Sequence, residues 1–168
     1  TGIDVQASRH HYWHMTRPMW ASLAAHAEAG LRFDSSVSFQ DEPGFRLGIA
    51  LPFEPWDPVN QRTVETLQVP TMLMDTMLLK GEDDSIDSAL ARFESLLEHL
   101  KAASGISAID WHEYTSVPAG QRREPLGHLY REILGCVSAD SEVAVVDYES
   151  FEDELLHAPS PTSRASRV

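Results

Sequence analysis

Cysteine, lysine and long apolar runs are scarce in this sequence. The single cysteine, Cys136, excludes an internal disulfide and a cysteine-based zinc cage, and its apolar helical surroundings favour a buried packing role. No apolar run approaches the roughly 20 residues that a membrane-spanning helix needs, and no signal peptide opens the sequence. The sequence does not determine the cellular compartment, although it favours the cytoplasm. No membrane is expected as a partner.

Acidic residues outnumber basic ones by two to one. The 26 Asp and Glu residues against 13 Lys and Arg residues give a formal net charge of −13. A field of this sign repels nucleic-acid phosphates and anionic lipid surfaces. Nucleic acid is therefore excluded as an expected partner.

Helical and extended patterns alternate along the 168 residues, which favours an α/β fold. Apolar residues spaced three and four apart predict helices at 19–29, at about 85–103 and at 125–137. Strands are predicted within 31–39, 67–78, 106–110 and 142–148, and four prolines between positions 43 and 58 predict an extended loop. The folded domain is expected to cover 1–156, and residues 157–168 are predicted to be a disordered tail because they lack apolar anchors.

The stretch GISAIDWHEYTS, residues 105–116, carries a predicted strand directly into Trp111 and His112. If the strand is parallel and belongs to an α/β barrel, His112 lies at its C-terminal end, where active sites form. A histidine there can serve as a general acid or base. The alternative is a surface histidine in a turn, with Trp111 as a core residue.

A second group of polar residues lies in SRHHYWHM, residues 8–15. His10 and His14 are four positions apart, a spacing that places two imidazoles on one metal when the segment is helical. The helix signals begin only at Thr16, so a loop is favoured here. With an acid such as Asp34, the pair would make a self-contained metal site. Without one, it is an ordinary histidine cluster.

Arg9 and Arg46 are candidates for holding a carboxylate through paired hydrogen bonds. Each is equally compatible with an ordinary surface arginine. The segment around Arg46, DEPGFRLGIALPF, also carries aromatic residues near charged ones. That mixture is typical of a surface that binds a sugar, and equally of aromatic residues that hold a loop against the hydrophobic core.

Four passages, in this order, resemble the polysaccharide deacetylases, the metal-dependent carbohydrate esterases of the nodulation-type chitooligosaccharide deacetylase domain. Arg9 precedes a helix and then AGLRFDSSVSF, which is similar to the family phrase AGYRYDSS. DEPGFRLGIALPF resembles D-x-P-G-F-R-x-G-T-x-x-P-F, and LQVPTMLMDTML resembles L-x-E-I-P-L-x-x-M-D-x-T-L. AIDWHEYTS resembles the closing motif, in which a hydrophobic strand leads to W-H-N or L-x-x-H.

The resemblance implies a distorted (β/α) barrel that removes acetyl groups from N-acetylated glycans or amino sugars. A divalent metal, zinc by preference, would polarise the amide and activate water in the complete domain. His112 falls on the family's general acid, and Arg9 on the arginine that orients the catalytic aspartate. Trp111 falls beside the acetyl pocket, and Tyr12, Arg46 and Asp34 are the other expected substrate-binding residues.

The sequence departs from this family in the residues that hold the metal. The T-F-D-D strand and the H-S-x-x-H motif, which precede the arginine segment in the family, are not visible, so no metal is expected to be held by this chain alone. Ile49 replaces the threonine of the G-T step, and Glu113 replaces the asparagine of W-H-N. The expected fold is an incomplete, distorted barrel, the C-terminal portion of a deacetylase that an upstream segment completes. The alternative is a non-catalytic carbohydrate-binding or partner-binding domain derived from one.

Overall fold

A computed structural model describes residues 5–80, 84–116 and 124–151. The predicted tail at 157–168 lies outside the described residues. The strands are short, and the two longest helices lie in the second half of the chain. In chain order the elements are β1 (Ala7–Ser8), α1 (Met19–Glu28), β2 (Phe33–Asp34), β3 (Trp56–Asp57), β4 (Arg62–Thr63), β5 (Leu67–Gln68), β6 (Thr71–Met74), α2 (Ile86–Ala102), β7 (Ala108–Asp110), α3 (Glu113–Ser116) and α4 (Glu124–Ala139).

The strands β1, β2 and β5 form one parallel sheet, and β6 and β7 form another. Pro70, which has no N–H to give, separates β5 from β6. Backbone hydrogen bonds bridge this break: Val69 donates to the Asp34 carbonyl oxygen at 2.8 Å, and Ala108 donates to the Pro70 carbonyl oxygen at 2.8 Å. Residues 67–74 therefore lie between β2 on one side and β7 on the other.

This arrangement confirms an α/β fold with parallel strands. Helix α1 connects β1 to β2, and α2 connects β6 to β7, as parallel pairing requires. Neighbouring strands follow one another in chain order, so that β1 and β7 lie at the two ends of the series. Within the described residues each of these two strands pairs on one side only, and no closed barrel forms.

Helix α1 ends where the chain must reverse to start β2. Gly30 has φ of 81°, a left-handed conformation that favours glycine. The Leu31 amide then donates to the His26 carbonyl oxygen at 2.9 Å. This turn brings the last turn of α1 beside the end of β2.

The main core lies between the β6–β7 sheet and the helices α2 and α4. The predicted helices at 85–103 and 125–137 are confirmed, and their apolar stripes face this core. Ser85 caps α2 by accepting the Ser88 amide, and the Ser88 side chain bonds back to the Ser85 amide. Cys136 packs half-buried against the core, as expected. The buried members are Met72, Leu73, Leu78, Ala89, Phe93, Leu97, Leu129, Ile133 and Val137.

The strand predicted at 142–148 is wrong, because these residues carry no strand pairing. Its alternating valines suggested a sheet face, but they pack into two separate clusters. Val143 contacts the main core, whereas Val146 and Tyr148 contact the cluster around Phe33. Val145, between them, is 76% exposed. The segment crosses between these two clusters, and among the described residues no neighbouring strand pairs with it.

Most of the proline-rich passage is a loop, as predicted. Near its end Trp56–Asp57 form β3, which pairs with β4 in an antiparallel hairpin. Ala50 anchors this loop to the end of α2. Its carbonyl oxygen accepts the Ile106 amide at 2.8 Å, and a methyl group added at Gly105 would overlap that oxygen.

Two Gly→Ala substitutions test this anchor. Gly105→Ala is expected to lower the free energy of unfolding by roughly 1–3 kcal/mol, since the new Cβ must displace the Ala50 backbone. Gly135→Ala, within α4 and with open space around it, is expected to raise stability by about 0.5–1 kcal/mol through helix propensity. Urea unfolding of both variants is the measurement, and equal effects at the two positions would contradict the predicted contact.

Candidate functional site

Acidic and basic side chains gather where parallel strands end. Arg9 directly follows β1, and Asp34 is the last residue of β2. Asp75 directly follows β6, and Asp110 is the last residue of β7, with His112 two positions later. The carboxyl ends of parallel strands meet at one edge of a sheet, which is where α/β folds place their sites.

His112 is held by the carboxylate of Asp75. Its Nδ1 atom lies 2.8 Å from Asp75 Oδ1, and its backbone amide donates to Oδ2 at 3.3 Å. Thr76 donates its amide to Oδ1 at 2.8 Å, and the Thr115 hydroxyl donates to Oδ2. Asp75 is fully buried, whereas the His112 side chain is 29% exposed. The carboxylate is thus satisfied by four donors, and the imidazole reaches solvent.

This contact determines which nitrogen of the His112 ring faces the carboxylate with a proton. An ionised carboxylate only accepts hydrogen bonds, so Nδ1 of His112 must carry a proton. The other ring nitrogen, Nε2, is not engaged by Asp75. A buried acid that orients a histidine in this way is the arrangement that proton-transfer sites use.

Arg9 pairs with Asp110. Its Nη1 atom lies 3.0 Å from Asp110 Oδ2, close enough for an ion pair but without the alignment of a hydrogen bond. The guanidinium also lies over the Trp13 ring, 5.1 Å from its centre. Burial raises the pKa of the Asp110 carboxyl, while the positive charge of Arg9 acts in the opposite direction.

The two pairs are close enough for their charges to act on each other. The charges that act on the Asp110 carboxyl include Arg9, His112 and Asp75. Arg9 and Asp110 also line an open groove of about 1100 Å³ that follows β7 from Ile106 to Trp111. Arg9 and His112, the two residues expected to be catalytic, thus lie near enough to Asp110 for both charges to act on its carboxyl.

A second cluster contains His10, His26 and Asp34. One nitrogen or oxygen from each residue lies within 4.8 Å of the other two. The Nε2 atoms of His10 and His26 are 2.9 Å apart, and His26 Nδ1 is 3.1 Å from Asp34 Oδ2. The latter contact is also at ion-pair distance without hydrogen-bond alignment. His10 and Asp34 were predicted as site residues, but His26 replaces His14 in this group.

The remaining candidates lie in less specific surroundings. Trp111 is half-buried, packs against the main core and tilts against Tyr130 with ring centres 5.1 Å apart. Tyr12 is 67% exposed and lies between the rings of His11 and His14. Arg46 is exposed and donates to the Ser38 carbonyl oxygen at 3.1 Å. Their roles in binding substrate stay predictions.

Sequence reasoning missed Asp75, Asp110, Thr115 and His26. The rule that selected His112, namely its position after a parallel strand, would also have selected Asp75 and Asp110. Thr115 is three residues after His112, on the first turn of α3. No spacing rule predicts His26, because a helix and a turn bring it to residues 16 positions before it and 8 after it.

Comparison of the chain with protein-family models, with curated proteins and with solved structures found no match. In the described part of the chain, no helix combines the length and apolar character needed to cross a membrane.

Two threonines around the same carboxylate give a matched test of the Asp75 contacts. Thr115→Val removes a hydroxyl donor and is expected to lower stability by roughly 1–3 kcal/mol, because a buried acceptor loses its partner. Thr76→Val keeps the backbone amide that Asp75 accepts, so little change is expected. Thermal and urea unfolding would measure both, and similar losses would show that the hydroxyl contributes nothing specific.

The pKa of Asp110 predicts a pH effect on stability. Because burial raises this pKa above the ordinary value of 3.8, the folded state holds the proton more tightly than the unfolded state. The contribution of Asp110 to the free energy of unfolding is therefore full below about pH 3.8. It is lost as pH rises through the pKa of this carboxyl in the folded state. In Asp110→Asn this loss is absent, so the variant gains stability relative to wild type as pH rises from about 4.

Urea unfolding at several pH values between 4 and 7 measures this difference. The exposed acid Asp41 provides a control, since Asp41→Asn removes a charge from the surface loop. A difference between wild type and Asp110→Asn that does not change with pH would contradict the prediction.

Proposed function

We propose that this chain is the C-terminal part of a metal-dependent deacetylase-like hydrolase that acts on an N-acetylated glycan or amino sugar. His112 serves as the general acid, and Arg9 orients a catalytic aspartate supplied by an upstream segment. The polysaccharide-deacetylase resemblance suggests the reaction and the substrate class. The contact between the buried Asp75 and the half-exposed His112 is the observation that carries the proposal.

The Asp75–His112 pair suits amide hydrolysis because the leaving amine needs a proton. An imidazolium whose Nδ1 proton is held by Asp75 delivers its other proton from Nε2. Asp75 keeps the ring in one orientation through the contact with Nδ1. Asp75 thus acts as a positioning residue, while His112 touches the leaving group.

Arg9 supports the same proposal from the end of β1. Its guanidinium presents several donors in a plane, and it is held by Asp110 and Trp13. Its side chain remains 36% exposed, so donors are left for a second carboxylate. An upstream aspartate bound there would lie next to the general acid.

The open sides of the sheet favour an upstream segment as the missing part. Strands β1 and β7 each present one unpaired side among the described residues. Unpaired strand sides and a wide groove along β7 are what a barrel lacking some of its strands leaves behind. The upstream strands would pair with these sides and complete the barrel.

The divalent metal of such an enzyme polarises the amide carbonyl and lowers the pKa of bound water. In the described residues the donor set suited to such an ion is His10, His26 and Asp34, two imidazoles and a carboxylate. The proposal for His112 and Arg9 does not depend on which residues hold the metal.

The test is acetate release from N-acetylglucosamine oligomers by the gene product that includes the residues preceding Thr1. His112→Asn is expected to lower kcat by roughly 10²- to 10⁴-fold with little change in KM, because a general acid acts in the transition state. Asp75→Asn should lower kcat in the same direction, since it removes the charge that holds the imidazolium. His128→Asn, at an exposed histidine of α4, is the matched control and should leave kcat unchanged.

Near-wild-type kcat in His112→Asn would overturn the assignment of the general acid. If the longer protein releases no acetate with zinc, cobalt or manganese present, the hydrolase proposal fails. Oligosaccharide binding by calorimetry without turnover would then favour the non-catalytic carbohydrate-binding domain.

A further inference from the structure

The cluster at the ends of β1 and β2 has the donor set of a transition-metal site. His10 contributes Nε2, His26 a ring nitrogen and Asp34 a carboxylate oxygen, all within 4.8 Å of one another. Two imidazoles and one carboxylate match the ligands of zinc and related ions in sites that keep a fourth position open. We propose that His10, His26 and Asp34 form a three-ligand site for a divalent transition-metal ion, zinc by its donor chemistry.

Burial gives the first argument for a cation. Asp34 is fully buried, and its carboxylate accepts the Ser36 amide and the Ser36 hydroxyl, each at 2.8 Å. A buried carboxylate needs a positive partner or a metal in addition to neutral donors. Among the described residues His26 lies against the Asp34 carboxylate, and a bound ion would add a positive charge at this buried position.

The His26 ring gives an independent argument. Its Nδ1 atom is buried, lies 3.1 Å from the Asp34 carboxylate and makes no aligned hydrogen bond. Its Nε2 atom lies 2.9 Å from Nε2 of His10. Two imidazole nitrogens at this distance repel each other through their lone pairs unless a proton or a metal ion lies between them. A metal ion bound to one nitrogen of each ring and to the carboxylate would remove this repulsion and balance the charge of Asp34.

The spacing requires little rearrangement. Ligands at about 2.1 Å from a tetrahedral ion lie about 3.4 Å apart. The Nε2 atoms of His10 and His26, 2.9 Å apart, are near that value, and a pair at the 4.8 Å limit of the group would close by roughly 1.4 Å when the ion enters. Side-chain rotation supplies this movement, because His10 follows β1 in a loop and His26 lies in the last turn of α1.

The surroundings hold the three ligands in place. Ser36 joins two of them, since its hydroxyl accepts the His10 amide at 2.8 Å and donates to Asp34. Gly30 ends α1 so that His26 faces β2. Outer contacts of this kind orient ligands in metal sites and contribute to affinity.

The proposal is tested on the purified chain after removal of metal with EDTA. Zinc and cobalt are added back, and bound metal is measured by elemental analysis, by competition titration and by the visible absorption of cobalt. We expect one ion per chain and a rise in Tm on zinc addition. His26→Gln and Asp34→Asn should each lose more than the roughly 10- to 100-fold in affinity that removal of an outer partner costs.

His14→Gln is the matched control, because His14 lies four residues from His10 but outside the cluster. It should bind zinc as the wild type does. If His26→Gln or Asp34→Asn fails to fold, His10→Gln decides the question, since His10 is half-buried and lies in a loop. Circular dichroism in EDTA shows whether each variant is folded.

The proposal is overturned if the stripped chain binds no stoichiometric zinc or cobalt, or if His10→Gln and the other ligand variants bind as tightly as wild type. It is also overturned if His14→Gln abolishes binding while His26→Gln does not, since the sequence-spaced pair would then hold the ion. These measurements do not use glycan turnover. Metal binding and the proposed hydrolase activity can therefore succeed or fail separately.

Discussion

The buried carboxylate of Asp75 joins the end of β6 to the segment that follows β7. It accepts hydrogen bonds from the His112 ring and amide, from Thr76 and from Thr115. A buried charge is tolerated when donors surround it, and here those donors come from two adjacent strand ends and α3. The same contacts that satisfy the charge orient the imidazole, so the local stability of this edge and its possible chemistry have one origin.

The short parallel strands place every charged group of interest at one end of the sheet. Asp34 at the end of β2 and Asp110 at the end of β7 lie at equivalent points of their strands, with Arg9 and His112 just beyond β1 and β7. Two clusters result: the Asp75–His112 pair near β7, and the group of His10, His26 and Asp34 near β1 and β2. Their proximity along the same edge is a consequence of parallel strand direction.

The sequence predicted the parts of this arrangement that depend on local pattern. The helices α2 and α4 were found because apolar residues recur every three or four positions, and His112 was found because a hydrophobic run leads into it. The strand at 142–148 was predicted wrongly because alternating valines indicate an extended chain without indicating a partner to pair with. Asp75 was passed over because nothing in its own segment shows that a histidine 37 residues later donates to it.

By itself, the sequence determined the α/β class, the two main helices, the loop at 40–58 and the placement of His112 after a strand. These follow from periodicity and from the backbone limits of proline and glycine, which act over a few residues. The tertiary structure alone decided that Arg9 meets Asp110, that Asp75 holds His112, and that His26 joins His10 and Asp34. These contacts depend on strand order and on how α1 turns back onto β2, which no short stretch of the chain contains.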